Sequence, residues 1–386
     1  MATNIPKAIP SGERRRMENM AGEMRKLGHE VHCVFAEDVV LSITSYSHHN
    51  LFKAFEFPIL LIKKIISLER EGGPFDIVDI VNRPGYLFGL LRKRLGMRSK
   101  YILRCTDPDI KNIAAKALKY YEKGCRGVPD DLKARQELKF CFPYLYQKQE
   151  KMAFLKSDKI VVWCEEGRSI LTATANINPS KIVVVPLGTS KDFFELRRNG
   201  RNLEGDFLFV GTCTGFWGKL EGIDFLADAF PRVVRRFPRA KLTIVGCRDV
   251  DKTVQYFPAS LRKNIRIYPF VPRQKLIKAY REHKILIHPS LSEGFGMVFL
   301  DGMVAGLTII VTPVGGAADI CEDGKDSVIV PPGDSTSLAH AMIFLLENED
   351  VRKVLGRKAR EKARGYTWKQ VAIKTLDFYK NTMAEG

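Results

Sequence analysis

The chain lacks any apolar run of the ~18 residues that would cross a bilayer. Its eight cysteines include no Cys-x-x-Cys pair and no spacing of a disulfide framework. In a chain of 386 residues they read as reduced thiols, which points to the cytoplasm. No leader-like stretch precedes the first helical pattern, which agrees with that reading. There is no zinc-finger spacing, RNP motif or basic zipper, so no nucleic acid is expected as a partner. The loop after a predicted strand at 207–210 spaces its glycines as Gly211, Gly215 and Gly218. That is not G-x-G-x-x-G, which speaks against a dinucleotide cofactor. What the chain has in excess is positive charge, formally +18, shared between both halves rather than held in a tail. An anionic membrane face or negatively charged substrates would suit it, and so would a merely solvated basic surface. The hydrophobic fraction of 45% and charged fraction of 27% are those of a soluble globular protein, and the length suggests two or three domains.

The most informative stretch is Ser290 to Gly316. A short apolar strand, Lys284–His288, runs into Pro289-Ser290-Leu291-Ser292, then Glu293-Gly294-Phe295-Gly296. The apolar run Met297–Ala305 follows, stopped by Gly306, and a second strand, Thr308–Thr312, leads to Val314-Gly315-Gly316. The helix is too apolar to lie on a surface, so it should be buried beside a sheet. Gly306 reads as its C-terminal stop. Glycines at a helix start let a ligand approach the backbone, and the first-turn N–H groups there favour an anion. Glu293 precedes that turn and Asp301 lies further along the helix, their backbones roughly 9–12 Å apart. A diphosphate on the amides, with a polyol at each end facing a carboxylate, fits this layout. A nucleoside diphosphate sugar has that shape.

The stretch resembles the signature of the retaining glycosyltransferases of family four, the group 1 type. Their pattern is Glu-Gly-Phe-Gly, a second acid eight positions after the first, then Ala-Met-Ala-x-Gly. Here it reads Glu293-Gly294-Phe295-Gly296, then Asp301-Gly302-Met303-Val304-Ala305-Gly306, with Asp as the second acid. The match continues through Asp319-Ile320 and Pro331-Pro332-Gly333-Asp334. The resemblance implies an α/β GT-B fold, two Rossmann-like doubly wound domains facing across a cleft. Residues 1–187 with the last helix, 368–384, would form the acceptor-side domain, and 188–367 the nucleotide-sugar domain. It also implies no cofactor and no metal, and no D-x-D pair is placed to hold one.

Taken in order, residues 1–10 are too polar and proline-rich for the opening strand of a doubly wound domain, so that strand is missing, truncated or degenerate. Ser11-Gly12 is a reduced form of the family's glycine-rich loop, with Gly12 on the acceptor side. Arg14-Arg15-Arg16 read either as a charged helix face or as an anion contact. Val31–Phe35 and Phe75–Val81 read as strands. Leu51–Leu68 reads as an apolar helix that Pro58 should break or kink, packed on a sheet or lying on a membrane surface. Tyr101–Leu103 is a strand, after which Thr106-Asp107 replaces the family's His-Asp. Asp107 is then an acceptor contact or a cap. Lys111 to Lys156 is helical in pattern and least family-like, which places acceptor specificity there. In the second domain the family carries an Arg after the first glycine and a Lys before Gly-Ile-Asp. Here Thr212 and Glu221 stand at those places, before Gly222-Ile223-Asp224. Lys219 is a substitute cation or a solvent lysine. Val271 would offer its backbone to the base.

The resemblance implies transfer of a sugar, with retained configuration, to a glycan, lipid-linked or other hydroxyl. Glu293 and Lys219 are the candidate catalytic residues. Gly211, Thr212, Lys219, Val271, Glu293, Gly294, Phe295, Gly296, Met297, Val298 and Asp301 are the candidate donor contacts. A cytoplasmic enzyme of glycan biosynthesis, peripheral to the inner membrane face, is expected. The altered loop keeps two other readings open: a catalytically impaired scaffold of the same fold, and a nucleotide-sugar epimerase or phosphorylase.

Overall fold

The computed structural model describes residues 1–2, 12–39, 55–106, 119–120, 143–196 and 205–385. The chain forms two compact units. One comprises Met1–Pro108, Lys139–Gly188 and Trp368–Gly386; the other comprises Asp109–Leu138 and Thr189–Thr367.

The first unit opens with helix α1 (Gly12–Lys26), then α2 (Phe57–Gly72), strand β1 (Ile77–Val81), α3 (Gly85–Leu91), β2 (Lys100–Arg104), α4 (Pro143–Lys156), β3 (Lys159–Val162), α5 (Glu165–Ala175) and β4 (Ile182–Val184). The four strands pair in parallel in the order β1-β2-β3-β4. Their apolar runs are buried on both faces, as a parallel sheet between helices requires. Beside β1, Ala2 bridges in parallel to both Val34 and Ile80, so among the described residues the strand expected at Val31–Phe35 is reduced to one bridge. A lone residue cannot hold a longer partner in register. Pro58 does not break its helix. It sits in the first turn of α2, where a missing N–H is no loss, and Phe57, Leu61, Ile62 and Ile65 form one buried stripe behind it.

Arg16 is not part of an exposed basic face. It is 2% exposed, its guanidinium 4.3 Å from the centroid of the Trp163 ring. Arg104 lies over the same ring at 5.5 Å and pairs with Asp79 at 2.6 Å. The Tyr379 hydroxyl, from the closing helix Trp368–Ala384, bonds to both partners of that pair. Two buried cations are held by an aromatic face, a carboxylate and a phenol. Asp107, and most of the stretch from Lys111 to Lys156, lie outside the described residues; only 119–120 and α4 represent that stretch.

The second unit runs α6 (Lys191–Phe194), β5 (Gly205–Val210), α7 (Gly215–Leu220), α8 (Ile223–Arg236), β6 (Leu242–Cys247), α9 (Val250–Val254), β7 (Ile265–Pro269), α10 (Arg273–Glu282), β8 (His283–His288), α11 (Met297–Ala305), β9 (Thr308–Val311), α12 (Gly316–Ile320), β10 (Val328–Ile329), α13 (Ser335–Glu347) and α14 (Glu349–Ala363). All six strands are parallel, in the order β10-β9-β8-β5-β6-β7. The order reverses between β5 and β8, the place where a doubly wound sheet opens a crevice at its carboxyl ends. Helix α11, apolar but for Asp301, is buried from Phe299 to Ala305, packed on β8 and β9 and covered by α14. Gly306 caps it in the left-handed region, φ 76°, as its position after the apolar run predicts.

Candidate functional site

Leu208 is in register with Leu286, so β5 and β8 release their loops side by side. The loops touch: the Leu291 N–H donates to the Leu220 carbonyl at 2.7 Å. A β-carbon on Gly222, at φ 80°, would come within 2.1 Å of the Pro289 carbonyl oxygen. Only glycine allows that approach.

After β8 the chain forms a pocket for one carboxylate. Ser290 Oγ donates to Glu293 Oε1 at 3.0 Å, and His288 Nε2 stands 3.4 Å from the same oxygen. Burial pushes the imidazole down to about 4, so at neutral pH it is uncharged and this is not an ion pair. Glu293 keeps 23% of its side chain exposed. The neighbouring loop holds its backbone: a β-carbon on Gly315, at φ 56°, would lie 2.8 Å from the Glu293 carbonyl oxygen. Gly316 N–H donates to the Phe295 carbonyl at 2.9 Å. The Phe295 ring is buried against Phe299, so this residue serves the site through its backbone.

Gly296 begins α11 in the left-handed region, φ 88°, and no side chain caps the helix. The amides of Met297 and Val298 have no acceptor within the helix. One and a half turns on, Asp301 is 7% exposed, and the Thr189 hydroxyl donates to its Oδ1. The arrangement is a helix start that favours an anion, with an acid before it and another within it.

The loop after β5 is different. Glu221 Oε2 accepts from the Thr212 N–H at 2.7 Å, the Thr212 hydroxyl at 3.1 Å and the Cys213 N–H at 3.3 Å. Burial pushes this acid up to about 6, against the pull of those bonds. Gly211 opens the loop, and a β-carbon there would meet the same carboxylate at 2.6 Å. Lys219 lies on a helix, α7, where the glycine spacing suggests only loop. Its ammonium is 2.9 Å from both Asp224 oxygens and 4.3 Å from the Tyr256 ring centroid, with 11% of the side chain exposed. Val271 is half-buried just beyond β7.

In the first unit, Gly12 begins α1. At the ends of β1 and β2, Asn82 and Thr106 bond reciprocally, Asn82 Nδ2 donating to Thr106 Oγ1 at 2.8 Å and Thr106 N–H to Asn82 Oδ1 at 3.0 Å. Sequence reasoning passes over Asn82, Thr189, His288 and Ser290. Ser290, three residues before Glu293, was the one within reach of a local argument.

Residues 204–348 match the model of a family described as glycosyl transferases group 1. An uncharacterised glycosyltransferase of Methanocaldococcus jannaschii is 26% identical over 232 residues, 59% of this chain and 61% of that protein. A phosphatidyl-myo-inositol mannosyltransferase of Mycobacterium leprae is 29% identical over 182 residues, 46% of this chain and 48% of that protein. The chain thus spans about half to three-fifths of the curated relatives it matches. In fold it is similar to the sucrose-phosphate synthase of Thermosynechococcus elongatus, TM-score 0.76 at 16% identity over 97% of this chain and 94% of the other. It is also similar to a glycosyltransferase of Rickettsia africae, TM-score 0.70 at 16% identity over 100% and 98%. With two parallel doubly wound units, the fold is GT-B, and over residues 204–348 the chain is similar to the group 1 glycosyl transferases.

Proposed function

We propose that this chain transfers a glycosyl group from a nucleoside diphosphate sugar to an acceptor hydroxyl with retained configuration. The observation that carries the reading is the start of α11, an uncapped helix N-terminus at the switch point with Glu293 before it and Asp301 within it. The diphosphate lies on the amides of Gly294 to Val298. Glu293, its rotamer set by Ser290 and His288, orients the hydroxyls of the transferred sugar. Asp301 holds the ribose, and the backbone at Val271 meets the base. In the transfer the bond from the anomeric carbon to the phosphate oxygen breaks, and a bond to the acceptor oxygen forms on the same face. The acceptor proton passes to a phosphate oxygen of the departing nucleotide. Charge gathers on that diphosphate, where fixed amide dipoles and the positive end of the helix stabilise it.

The cationic role falls to Lys219, paired with Asp224 in this structure. Lys219→Ala should slow turnover about tenfold and change nucleoside affinity little; equal turnover would remove it from the mechanism. The acceptor is a glycan or lipid-linked hydroxyl. A relative named for phosphatidyl-myo-inositol supports the lipid class, as does the net charge of +18, which would hold a peripheral enzyme at an anionic membrane face. Gly12 and Asp107 are proposed on the acceptor side.

One observation favours a second reading, a donor-binding subunit without turnover: Glu221 fills the amides of the loop after β5. A binding screen of UDP-, GDP- and ADP-sugars, followed by donor hydrolysis with Glu293→Ala as control, decides between them. Binding with hydrolysis that the substitution abolishes supports transfer. Binding with no hydrolysis by either protein supports the subunit, and no binding of any nucleotide sugar sinks both.

A further inference from the structure

No helix among the described residues is long and apolar enough to cross a membrane, so a hold on a bilayer has to come from a surface. One end of the first unit has a surface of that kind. Helices α3 and α4 lead directly into the starts of β2 and β3, which lie side by side in parallel. Their C-termini therefore share one edge of the sheet, opposite Asn82 and Thr106. Arg92 ties the two ends together. Its buried guanidinium donates to the Ser99 carbonyl at 2.6 Å and to Asp158 at 2.7 Å. Gly89 packs against Lys156: a β-carbon on that glycine would stand 2.7 Å from Lys156 Cβ.

What these helix ends expose is apolar and basic. Leu90, Leu95 and Leu155 are 37%, 48% and 55% exposed. Lys93, Arg94 and Arg98 are exposed beside the first two. Lys156 follows the third, and Lys151 lies one turn before it on the same face of α4. From Ile80 to Thr106 the chain has no Asp or Glu, and Asp158, the acid that follows α4, is taken by Arg92. Among the described residues these exposed cations have no ion-pair partner. On α14, by contrast, Arg352 and Lys353 share Glu349. The turn that carries Leu95 is fixed by its own backbone: Gly96 N–H donates to the Lys93 carbonyl at 3.2 Å and Met97 N–H to the Arg92 carbonyl at 2.9 Å. The leucine is thus presented without further ordering.

A single exposed leucine needs no explanation, but a group of them set among unpaired cations calls for an occupant with both chemistries. A second copy of this face would bring cation against cation. A nucleic acid offers phosphates but nothing to the leucines, and the exposed residues named here include no aromatic ring on which a base could stack. An anionic bilayer offers phosphates at its surface and acyl chains just below. We propose that this end of the first unit docks on such a bilayer. Leu90, Leu95 and Leu155 enter the boundary between headgroups and acyl chains, and Lys93, Arg94, Arg98, Lys151 and Lys156 meet lipid phosphates. The inference gives the membrane face of the reading above a place on the chain and does not rest on the transfer itself. Docked in this way, the unit keeps Asn82 and Thr106 turned away from the lipid.

The test is flotation with vesicles of phosphatidylcholine alone and of phosphatidylcholine with added phosphatidylglycerol. The full chain should float with the anionic vesicles and not with the neutral ones. Replacing Lys93, Arg94 and Arg98 together by Gln should weaken binding about a hundredfold, roughly fivefold for each charge. Replacing the exposed Lys353, Arg357 and Lys358 of α14 by Gln removes as much charge and should change binding less than about threefold. Leu95→Ser with Leu155→Ser should weaken it about tenfold. All these side chains are exposed, so an unchanged Tm shows that the fold is kept. Failure to bind anionic vesicles, or equal losses in the two charge variants, overturns the proposal. Binding that ignores the leucines and is displaced by a single-stranded RNA also overturns it, by assigning the patch to nucleic acid. Donor hydrolysis measured without vesicles, the same in every variant, keeps this test separate from that of transfer.

Discussion

Two loops leave the centre of the second sheet at the same level, and they handle their amides in opposite ways. The loop after β5 turns its N–H groups onto Glu221, an acid of its own chain. The loop after β8 ends in Gly296 and an uncapped helix, while its own acid, Glu293, is drawn aside by Ser290. Both are strand, glycine-bearing loop and helix. The difference lies in where the carboxylate sits. An internal anion on the amides satisfies them for folding, whereas an acid held beside them leaves a helix start for an external anion. On the proposed reading the loop after β8 receives the phosphates, and Glu221 makes the amides of the loop after β5 a brace.

That contrast is broken most directly at Glu293. Glu293→Ala should lower turnover by about 10²–10³-fold and leave nucleoside diphosphate affinity within about threefold. Steady-state kinetics beside calorimetric titration read both numbers. Should affinity collapse while turnover of bound donor persists, Glu293 belongs to the phosphate site and not to the sugar.

A smaller effect is expected from Gly315→Ala. The new methyl would meet the Glu293 carbonyl oxygen at 2.8 Å in a backbone conformation that disfavours any side chain. The strain should cost about 1–3 kcal/mol, seen as a lower midpoint in urea. Turnover should fall with it because the Glu293 backbone must move. Gly324→Ala is the control, being also at positive φ but with open space around it. It should lose stability and keep activity.

The brace can be tested by pH. Glu221 titrates at about 6 in the fold, above its ordinary 4.5. An acid whose folded value is raised contributes most below the unfolded value, and that contribution is lost as pH climbs through the folded one. The chain should thus lose about 2 kcal/mol between pH 4.5 and 7 on this account. Glu221→Gln should remove that slope, since an amide oxygen still accepts from Thr212 and Cys213. Parallel slopes in the two proteins would show that the carboxylate is better solvated than its burial implies.

How much of this could be seen in the sequence depends on how local the cause is. Helix α11 and its stop were legible because apolar residues all round, followed by glycine, already dictate a buried helix with a left-handed end. The exchange of lysine for Glu221 was visible, but not that the acid turns inward onto Thr212. That follows from the path of α7, which glycine spacing did not foretell. Arg16 looked like a surface cation because its partner, Trp163, lies far along the chain. The opening strand was judged by the polarity of residues 1–10, while its position is set by Val34 and Ile80, which no local pattern around Ala2 reveals. Contacts between distant segments were what the sequence withheld, and Thr189 on Asp301, 112 residues apart, is among those that reach the candidate site.

That pair gives the mildest and most discriminating test of the ligand loop. The Thr189 hydroxyl donates to Asp301 Oδ1, and on the proposed reading the same carboxylate also holds a ribose. Asp301→Asn keeps an acceptor for Thr189 and replaces the remaining oxygen by a donor, so the fold should be little disturbed. Affinity for a nucleoside diphosphate should weaken about tenfold, the loss of one hydrogen bond to a charged group. The 2′,3′-dideoxy nucleotide makes no such bond, and its affinity should be the same for both proteins. Should both nucleotides weaken alike, Asp301 acts by supporting α11 rather than by gripping the sugar, and the second acid of the loop is structural like Glu221.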